Sequence, residues 1–236
     1  MKKLVVLTGA GMSAESGIST FRDSGGLWDR YPVEQVATPE GFRADPRLVL
    51  KFYDEQRAGL LKAQPNEGHK LLAGLEDRYE VDIITQNIDD LHERAGSSNV
   101  IHLHGELMKG CSSRDMNDPG CIVDIDPANP VIKLGDKALD GSQLRPFIVW
   151  FGESVPRIHD AAVKASEADI FLIIGTSMNV YPAAGLLNYV RRSTPVYLID
   201  PKSVGINSTH FVNIIQKGAS EGMKDFCKII DEKLGK

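Results

Sequence analysis

Leu4-Val5-Val6-Leu7-Thr8-Gly9-Ala10-Gly11-Met12-Ser13-Ala14 couples an apolar run to a G-x-G-x-x-A pattern. The run reads as a strand over Lys3–Thr8. Glycines directly after a strand allow a tight turn and let backbone N–H groups approach a pyrophosphate at a helix N-terminus. Alone, the short pattern fits a structural turn equally well; its place after a strand favours a nucleotide. The next residues depart from a dehydrogenase fingerprint, which runs through a full helix and a second strand to an acidic residue about 20 positions on. Here Glu15-Ser16-Gly17-Ile18-Ser19-Thr20-Phe21-Arg22-Asp23-Ser24-Gly25-Gly26-Leu27-Trp28 is a glycine-punctuated loop with an arginine and aromatics. It reads as a flap over a nucleotide.

Runs of the same character recur at Val81–Gln86, Val100–His104, Phe147–Phe151, Ile170–Gly175, Val196–Asp200 and Phe211–Ile215. Near-continuous apolar runs suit strands covered on both faces, as in a parallel sheet. Helical patterns lie between several of them. Over Pro46–Lys62, Leu48, Val49, Phe52, Tyr53 and Leu60 share a face; near the C-terminus Met223, Phe226, Cys227, Ile230 and Leu234 do, with Ser220 as N-cap. The expected fold is α/β, a Rossmann-like doubly wound parallel sheet. Two excursions interrupt it, Trp28 to about Pro65 and about Glu106 to Gln143, and are expected to pack together as a smaller inserted domain.

Polar residues gather where the strands end, the edge at which open α/β sheets bind ligands. Thr85-Gln86-Asn87-Ile88-Asp89 follows one strand, and Gln86, Asn87 and Asp89 suit ribose hydroxyls or an amide. An Asx-rich turn capping the next helix would look the same. On Val100-Ile101-His102-Leu103-His104-Gly105 alternation points both histidines to one side. Such a pair suits metal ligation and general-base catalysis equally, the unperturbed imidazole titrating near 6.5. His104, at the strand end, is the better base; His102 reads as structural. Gly175-Thr176-Ser177 ends another strand with residues small enough for phosphate or ribose contact.

Composition removes other classes. A net charge of -5 without a basic block argues against a dedicated nucleic-acid binder or membrane-surface protein. The longest apolar runs, Phe147–Phe151 and Ile170–Ile174, are far too short to span a bilayer. Thr8-Gly9 cuts the first run too early for a signal peptide. Three cysteines in a chain of 236 residues suit a reducing compartment, so a cytoplasmic location is expected.

Together these motifs resemble the sirtuin family of NAD-dependent protein deacylases. The match rests on Gly9-Ala10-Gly11-Met12-Ser13, Gly17-Ile18-Ser19-Thr20-Phe21-Arg22, Thr85-Gln86-Asn87-Ile88-Asp89, His102-Leu103-His104-Gly105, Phe151-Gly152-Glu153 and Gly175-Thr176-Ser177, in family order. The resemblance implies a large NAD-binding domain at about 1–28, 66–105 and 146–236, and a small domain at about 29–65 and 106–145. NAD and acyl-lysine would meet between them. Gly9, Ala10, Gly11, Ser13, Ala14, Gly17, Phe21, Arg22 and Trp28 would form the cofactor flap and phosphate cradle. Gln86, Asn87, Ile88 and Asp89 would serve the nicotinamide and ribose, and Gly175, Thr176 and Ser177 the adenosine side, with Asp200, Lys202 and Ala219 nearby. His104, with Asn87, would be catalytic. The family reaction consumes NAD and releases nicotinamide and O-acyl-ADP-ribose, mainly after removal of acetyl groups. Acyl-lysine peptides would add as a strand between Phe151-Gly152-Glu153 and Val180-Tyr181.

The chain departs from the family in two places. Sirtuins usually bind a structural zinc through two C-x-x-C pairs. Here Cys111 is followed three residues later by Arg114, and Lys137 and Asp140 stand where the second pair should fall. No zinc is expected; a salt bridge and apolar contacts of Ile122, Val123, Ile132 and Leu134 would replace it. Succinyl-selective sirtuins carry Tyr-x-x-Arg in the small domain. Here Tyr53 is followed by Gln56 at the arginine position and Arg57 one residue late, within reach from the other flank of a helix or simply on its face. A lean to acetyl, with weaker desuccinylation, is expected. A non-catalytic NAD or ADP-ribose sensor and a protein ADP-ribosyltransferase are the alternatives to deacylation.

Overall fold

The computed structural model describes residues 1–19, 31–204 and 210–234. Phe21, Arg22 and Trp28 of the expected flap lie outside the described residues. The described helices are α1 (Val33–Val36), α2 (Pro39–Ala44), α3 (Pro46–Leu60), α4 (Glu67–Gly74), α5 (Leu91–Arg94), α6 (Ile158–Glu167) and α7 (Ala219–Leu234). Strands β1 (Lys2–Thr8), β2 (Tyr79–Thr85), β3 (Val100–His102), β7 (Ile170–Ile174), β8 (Val196–Ile199) and β9 (Val212–Ile215) form one sheet in the order β3-β2-β1-β7-β8-β9. Every neighbouring pair is parallel. The order reverses between β1 and β7, and in open parallel sheets such a switch point leaves a crevice at the carboxyl ends of the strands.

Pleating sends Leu4 and Val6 to one face of the sheet, against Leu72 of α4 and Met223, Phe226 and Ile230 of α7. Val5 and Leu7 go to the other, against Ala161, Ala162 and Ala165 of α6 and Leu186 and Leu187. Both faces are dry, which is why these strands read as continuous apolar runs rather than alternating ones. Each large apolar side chain buried this way contributes roughly 1.5–3 kcal/mol. One expected detail differs. Helix α7 begins at Ala219, so Ser220 lies in its first turn and is not the N-cap. Its N–H instead donates to Glu15 Oε1 at 3.2 Å, a carboxylate near the positive end of the helix dipole.

Strands β4 (Gly105–Ser112), β5 (Val123–Asp124) and β6 (Leu144–Ile148) form a second, antiparallel sheet. The run Phe147–Phe151, expected in the parallel sheet, belongs here: β6 pairs with β4. Ile148 and Trp150 of the run are covered by the first excursion, packing among Phe42, Val49, Phe52, Tyr53 and Leu107 in a third core. Residues of both excursions, among them Phe42 and Phe52 from the first and Leu107, Ile125 and Ile132 from the second, meet in that core.

Where the family's zinc-binding thiolates would fall, the chain has a hydrogen-bonded knot. Buried Ser112 donates to Asp140 Oδ2 at 2.7 Å, lies 2.9 Å from Ser142 Oγ, and accepts from the N–H groups of Arg114 and Asp115. Hydrogen bonds from Ser142 and Ser112 hold the Asp140 carboxyl down to about 2. The expected replacements contribute unevenly. Ile132 is in the third core, but Val123 and Leu134 are exposed, and Arg114 meets Asp140 only at 3.8 Å from a largely exposed position. Exposed pairs of that kind are worth about 0–1 kcal/mol.

Candidate active site

The switch point is closed by glycine against glycine. Gly9 and Gly11, after β1, donate their N–H groups to Ile174 O at 3.0 Å and Gly175 O at 2.9 Å at the end of β7. A Cβ on Gly11 would lie 2.6 Å from Gly175 Cα, so these glycines are required by backbone meeting backbone. Their N–H groups are therefore committed within the protein. Ala10 and Ala14 open two successive 3₁₀ turns, Ala10–Met12 and Ala14–Ser16, which are joined at Ser13 and ended by Gly17 in the left-handed region.

A continuous polar chain runs below this turn. Buried Thr8 at the end of β1 donates to Thr85 Oγ1 at the end of β2 (2.8 Å), and Thr85 Oγ1 accepts from Asn87 N–H (3.0 Å). The Asn87 amide donates to Ser13 Oγ (3.1 Å), which donates to Asp89 Oδ2 (2.9 Å). Asp89 also accepts from the N–H of Leu91, the first residue of α5, at 3.1 Å. Burial raises the Asp89 carboxyl against the pull of the Ser13 bond. Gln86 reaches the other way, donating to Thr176 Oγ1 at 3.0 Å across the switch point. Asn87, Asp89 and Ser13 are thus brought together, with Gln86 and Thr176 adjoining.

His104 stands beyond β3 with Nδ1 2.9 Å from Gln86 O. A carbonyl only accepts, so Nδ1 carries the proton and Nε2 presents its lone pair; among the described residues nothing bonds Nε2. Burial lowers the ring from its ordinary value, only partly offset by the Gln86 bond, so His104 is neutral at physiological pH. That is the state a general base needs.

Two further histidines, singled out by no motif, stand beside the polar chain. His92 Nε2 lies 3.1 Å from Thr8 Oγ1, and its ring meets that of His69 edge-on at 4.9 Å between centroids. Both are fully buried, and His69 Nε2 and His92 Nδ1 have no partner among the described residues. Burial pushes His69 down to about 4 and His92 well below its ordinary value. A ring neutral in the fold but titrating near 6.5 when unfolded contributes stability that is present above pH 6.5 and lost as pH falls toward 4. We expect denaturation experiments to show a loss of roughly 1 kcal/mol or more by about pH 5.5, before most carboxylates titrate. Stability unchanged between neutrality and that point would contradict the buried neutral pair.

At the far rim, buried Arg145 grips both carboxylate oxygens of Glu153 at 2.8 Å and lies 3.6 Å over the Trp150 ring. Trp150 Nε1 donates to the Tyr53 hydroxyl at 3.0 Å, and Phe151 N–H donates to Ala37 O. The Glu153 side chain is therefore turned inward, whereas Phe151, Val180 and Tyr181 are exposed. Gln56 and Arg57 part company. Gln56 Nε2 is buried without a partner among the described residues. Arg57 is fully buried and donates to Pro130 O at 2.9 Å, to Leu107 O and to Asp54. It fastens α3 to the second sheet and is not a free cation beside Tyr53. Asp200 is buried at the end of β8, Lys202 is exposed after it, and Ala219 is buried at the start of α7.

Residues 9–182 match the Sir2 family. The chain is 62% identical over 230 residues to an NAD-dependent protein deacylase of Bacteroides thetaiotaomicron, 98% of each being covered. It is 48% identical over 232 residues to a protein of the same name from Helicobacter pylori, covering 98% of this chain and 99% of that one. A solved Sir2 homologue–NAD complex is similar at TM-score 0.86 and 39% identity, over 99% of this chain and 91% of the other. A Sir2 structure with a deacetylated p53 peptide and 3′-O-acetyl-ADP-ribose is similar at TM-score 0.78 and 29% identity, over 98% and 93%. The sheet order, the polar chain at its switch point and relatives of this identity lead to one conclusion: the chain belongs to the Sir2 family, the sirtuins.

Proposed function

We infer that this protein is an NAD-dependent protein deacylase that acts mainly on acetyl-lysine and releases nicotinamide and O-acyl-ADP-ribose. The observation that carries the reading is a neutral His104, its tautomer fixed by Gln86, beside the buried Asn87–Ser13–Asp89 chain. The residues present fit NAD: amide, hydroxyl and carboxylate groups suit ribose and carboxamide, and small residues end β1 and β7. NAD would supply the leaving group and the ribose that receives the acyl group. His104 Nε2 would take the proton of a ribose hydroxyl, and Asn87, Ile88 and Asp89 would hold the nicotinamide and its ribose. Gly175, Thr176, Ser177, Asp200, Lys202 and Ala219 would line the adenosine side. Holding a weakly nucleophilic acyl oxygen against its target supplies much of such a rate. The protein is incubated with NAD and an acetyl-lysine peptide, and nicotinamide and free-lysine peptide are both measured. Nicotinamide without deacylation, or neither product, would overturn the reading.

The peptide is proposed to enter as an added strand between Phe151–Glu153 and Val180–Tyr181. The Arg145–Glu153 clamp supports this, since it holds the 150–153 turn in place before any peptide arrives. Tyr53 and Gln56, at i and i+3 on α3, are proposed to face the acyl group. Gln56 Nε2 can donate to a carboxylate but cannot neutralise it. Gln56→Arg should raise kcat/KM for succinyl- over acetyl-lysine about 10- to 100-fold, the worth of a hydrogen bond to a charged group. A wild-type enzyme that already prefers succinyl-lysine by roughly tenfold would sink this placement.

The second sheet is proposed to fold without zinc, because Ser112, Asp140 and Ser142 are satisfied by one another. Among the described residues, no three His, Cys, Asp or Glu side chains converge on a metal position. Elemental analysis of purified protein should find well under one zinc per chain; a stoichiometric content would refute it. We propose a two-domain division in which the chain returns to the large domain nearer residue 151 than 146, since Ile148 and Trp150 join the third core. Among the described residues no helix is long and apolar enough to cross a membrane. A cytoplasmic location is proposed from the three free cysteines and is checked by cell fractionation.

A further inference from the structure

His102 and His104 use one nitrogen alike and the other differently. His104 Nδ1 lies 2.9 Å from Gln86 O, and His102 Nδ1 lies 3.2 Å from the next carbonyl, Asn87 O. At the other end of the His102 ring, Nε2 is 2.7 Å from Glu93 Oε1 of α5. A carbonyl and an ionised carboxylate can only accept. A ring facing an acceptor at each nitrogen makes both bonds only as the imidazolium.

We infer that His102 is a positioning residue: as an imidazolium it ties the Asn87 main chain to Glu93, and so holds the Asn87–Ser13–Asp89 chain in the geometry that receives the ribose of NAD. The inference rests on the reading of that chain as the NAD site. The charged and titratable groups acting on the ring are Glu93 and His92 on α5, Glu106 on β4 and Asp89 in the turn, while Lys109 on β4 acts on its partner Glu93. Burial is the largest single influence on His102 and opposes its charge. The hydrogen bond and charge of Glu93, with Glu106 and the Asn87 carbonyl, outweigh it and raise the ring above its ordinary value. His102 reciprocally draws Glu93 below its own. Two histidines two residues apart are thus pushed in opposite directions, His104 toward the free base and His102 toward the cation, a division that assigns them different roles. Above its pKa His102 must give up one of its two bonds, and Asn87 O or Glu93 loses its partner.

The test uses ADP-ribose as probe and the full chain, with no catalysis needed. Calorimetric titrations should show affinity falling by roughly tenfold or more from neutral to alkaline pH, the loss of one charge-assisted hydrogen bond. Side-chain NMR should place the His102 midpoint above about 6.5, and Glu93→Gln should lower both that midpoint and the alkaline fall in affinity. His102→Gln keeps a donor toward Glu93 only and should bind roughly tenfold more weakly at every pH. His102→Asn keeps a donor near the Nδ1 position without a titratable charge. It should recover most of the neutral-pH affinity and lose the pH dependence, which keeps the result readable if another variant folds poorly. A residue that merely stiffened the sheet would change melting temperature without this pattern. Wild-type affinity that is flat with pH, a His102 midpoint at or below 6.5, or His102→Gln binding like wild type would overturn the inference alone. Failure of ADP-ribose to bind at any pH would overturn the site reading and this inference together.

Discussion

His104→Ala lowers turnover by about 10²- to 10⁴-fold, the usual contribution of a positioned general base, while NAD continues to bind. The effect is expected on kcat rather than on affinity because the ring's contacts within the protein are peripheral to the polar chain. Its Nδ1 meets Gln86 O, and the Asn87–Ser13–Asp89 bonds do not pass through it. The pH dependence follows from the same geometry. Burial lowers His104, so the lone pair on Nε2 persists below the ordinary imidazole range, and activity should fall only as pH drops beneath about 6.5. Steady-state kinetics with an acetyl-lysine peptide, paired with calorimetry on the variant, separates the two effects. Near-normal turnover in His104→Ala would remove His104 from the chemistry; lost NAD binding would make it a binding residue instead.

What could be read in advance follows from how local the physics is. Strands β1, β7 and β8 were legible because both of their faces are covered by helices, so every position is apolar. Helix α3 was legible because one stripe faces a core; Val49, Phe52, Tyr53 and Leu60 are all buried. The run Phe147–Phe151 misled because five apolar residues announce burial without saying what buries them. Strand β4 was hidden because its glycines and half-exposed charged residues imitate a loop. At the site, the alternation of His102 and His104 was visible, and so were Asn87 and Asp89 at a strand end. The partners were not: Thr8 meets Thr85 across 77 positions, and Trp150 meets Tyr53 across 97. Side-chain pairs so distant leave no periodic trace. Arg57 shows the same limit from the other direction. Its spacing from Tyr53 fits either an acyl contact or a plain place on the helix face, and only the fold reveals that Pro130 O and Leu107 O hold it.

Gly175→Ala is expected to be the most damaging conservative change at the switch point, and Gly17→Ala supplies its control. Both glycines have positive φ, 61° at Gly175 and 84° at Gly17, so an alanine at either meets the left-handed penalty of roughly 1–2 kcal/mol. They differ in space. A Cβ at Gly17 has nothing within 4 Å, whereas one at Gly175 would lie 2.4 Å from both Gly11 C and Met12 N. Those are backbone atoms in a turn pinned by Gly9 and Gly11 to the end of β7, so no rotamer change relieves the contact. Overpacking of this kind adds typically 1–3 kcal/mol. For a chain of this size each 1 kcal/mol lowers Tm by roughly 2–4 °C. Gly17→Ala should therefore melt only a few degrees low, and Gly175→Ala by roughly 5–15 °C. The clash also pushes apart the ends of β1 and β7, where Ser13 and Thr176 are held, so NAD affinity should fall in Gly175→Ala even well below its melting point. Equal melting temperatures for the two variants would mean that the glycines are there for conformation alone, and that the close approach of the two turns is not what shapes the site.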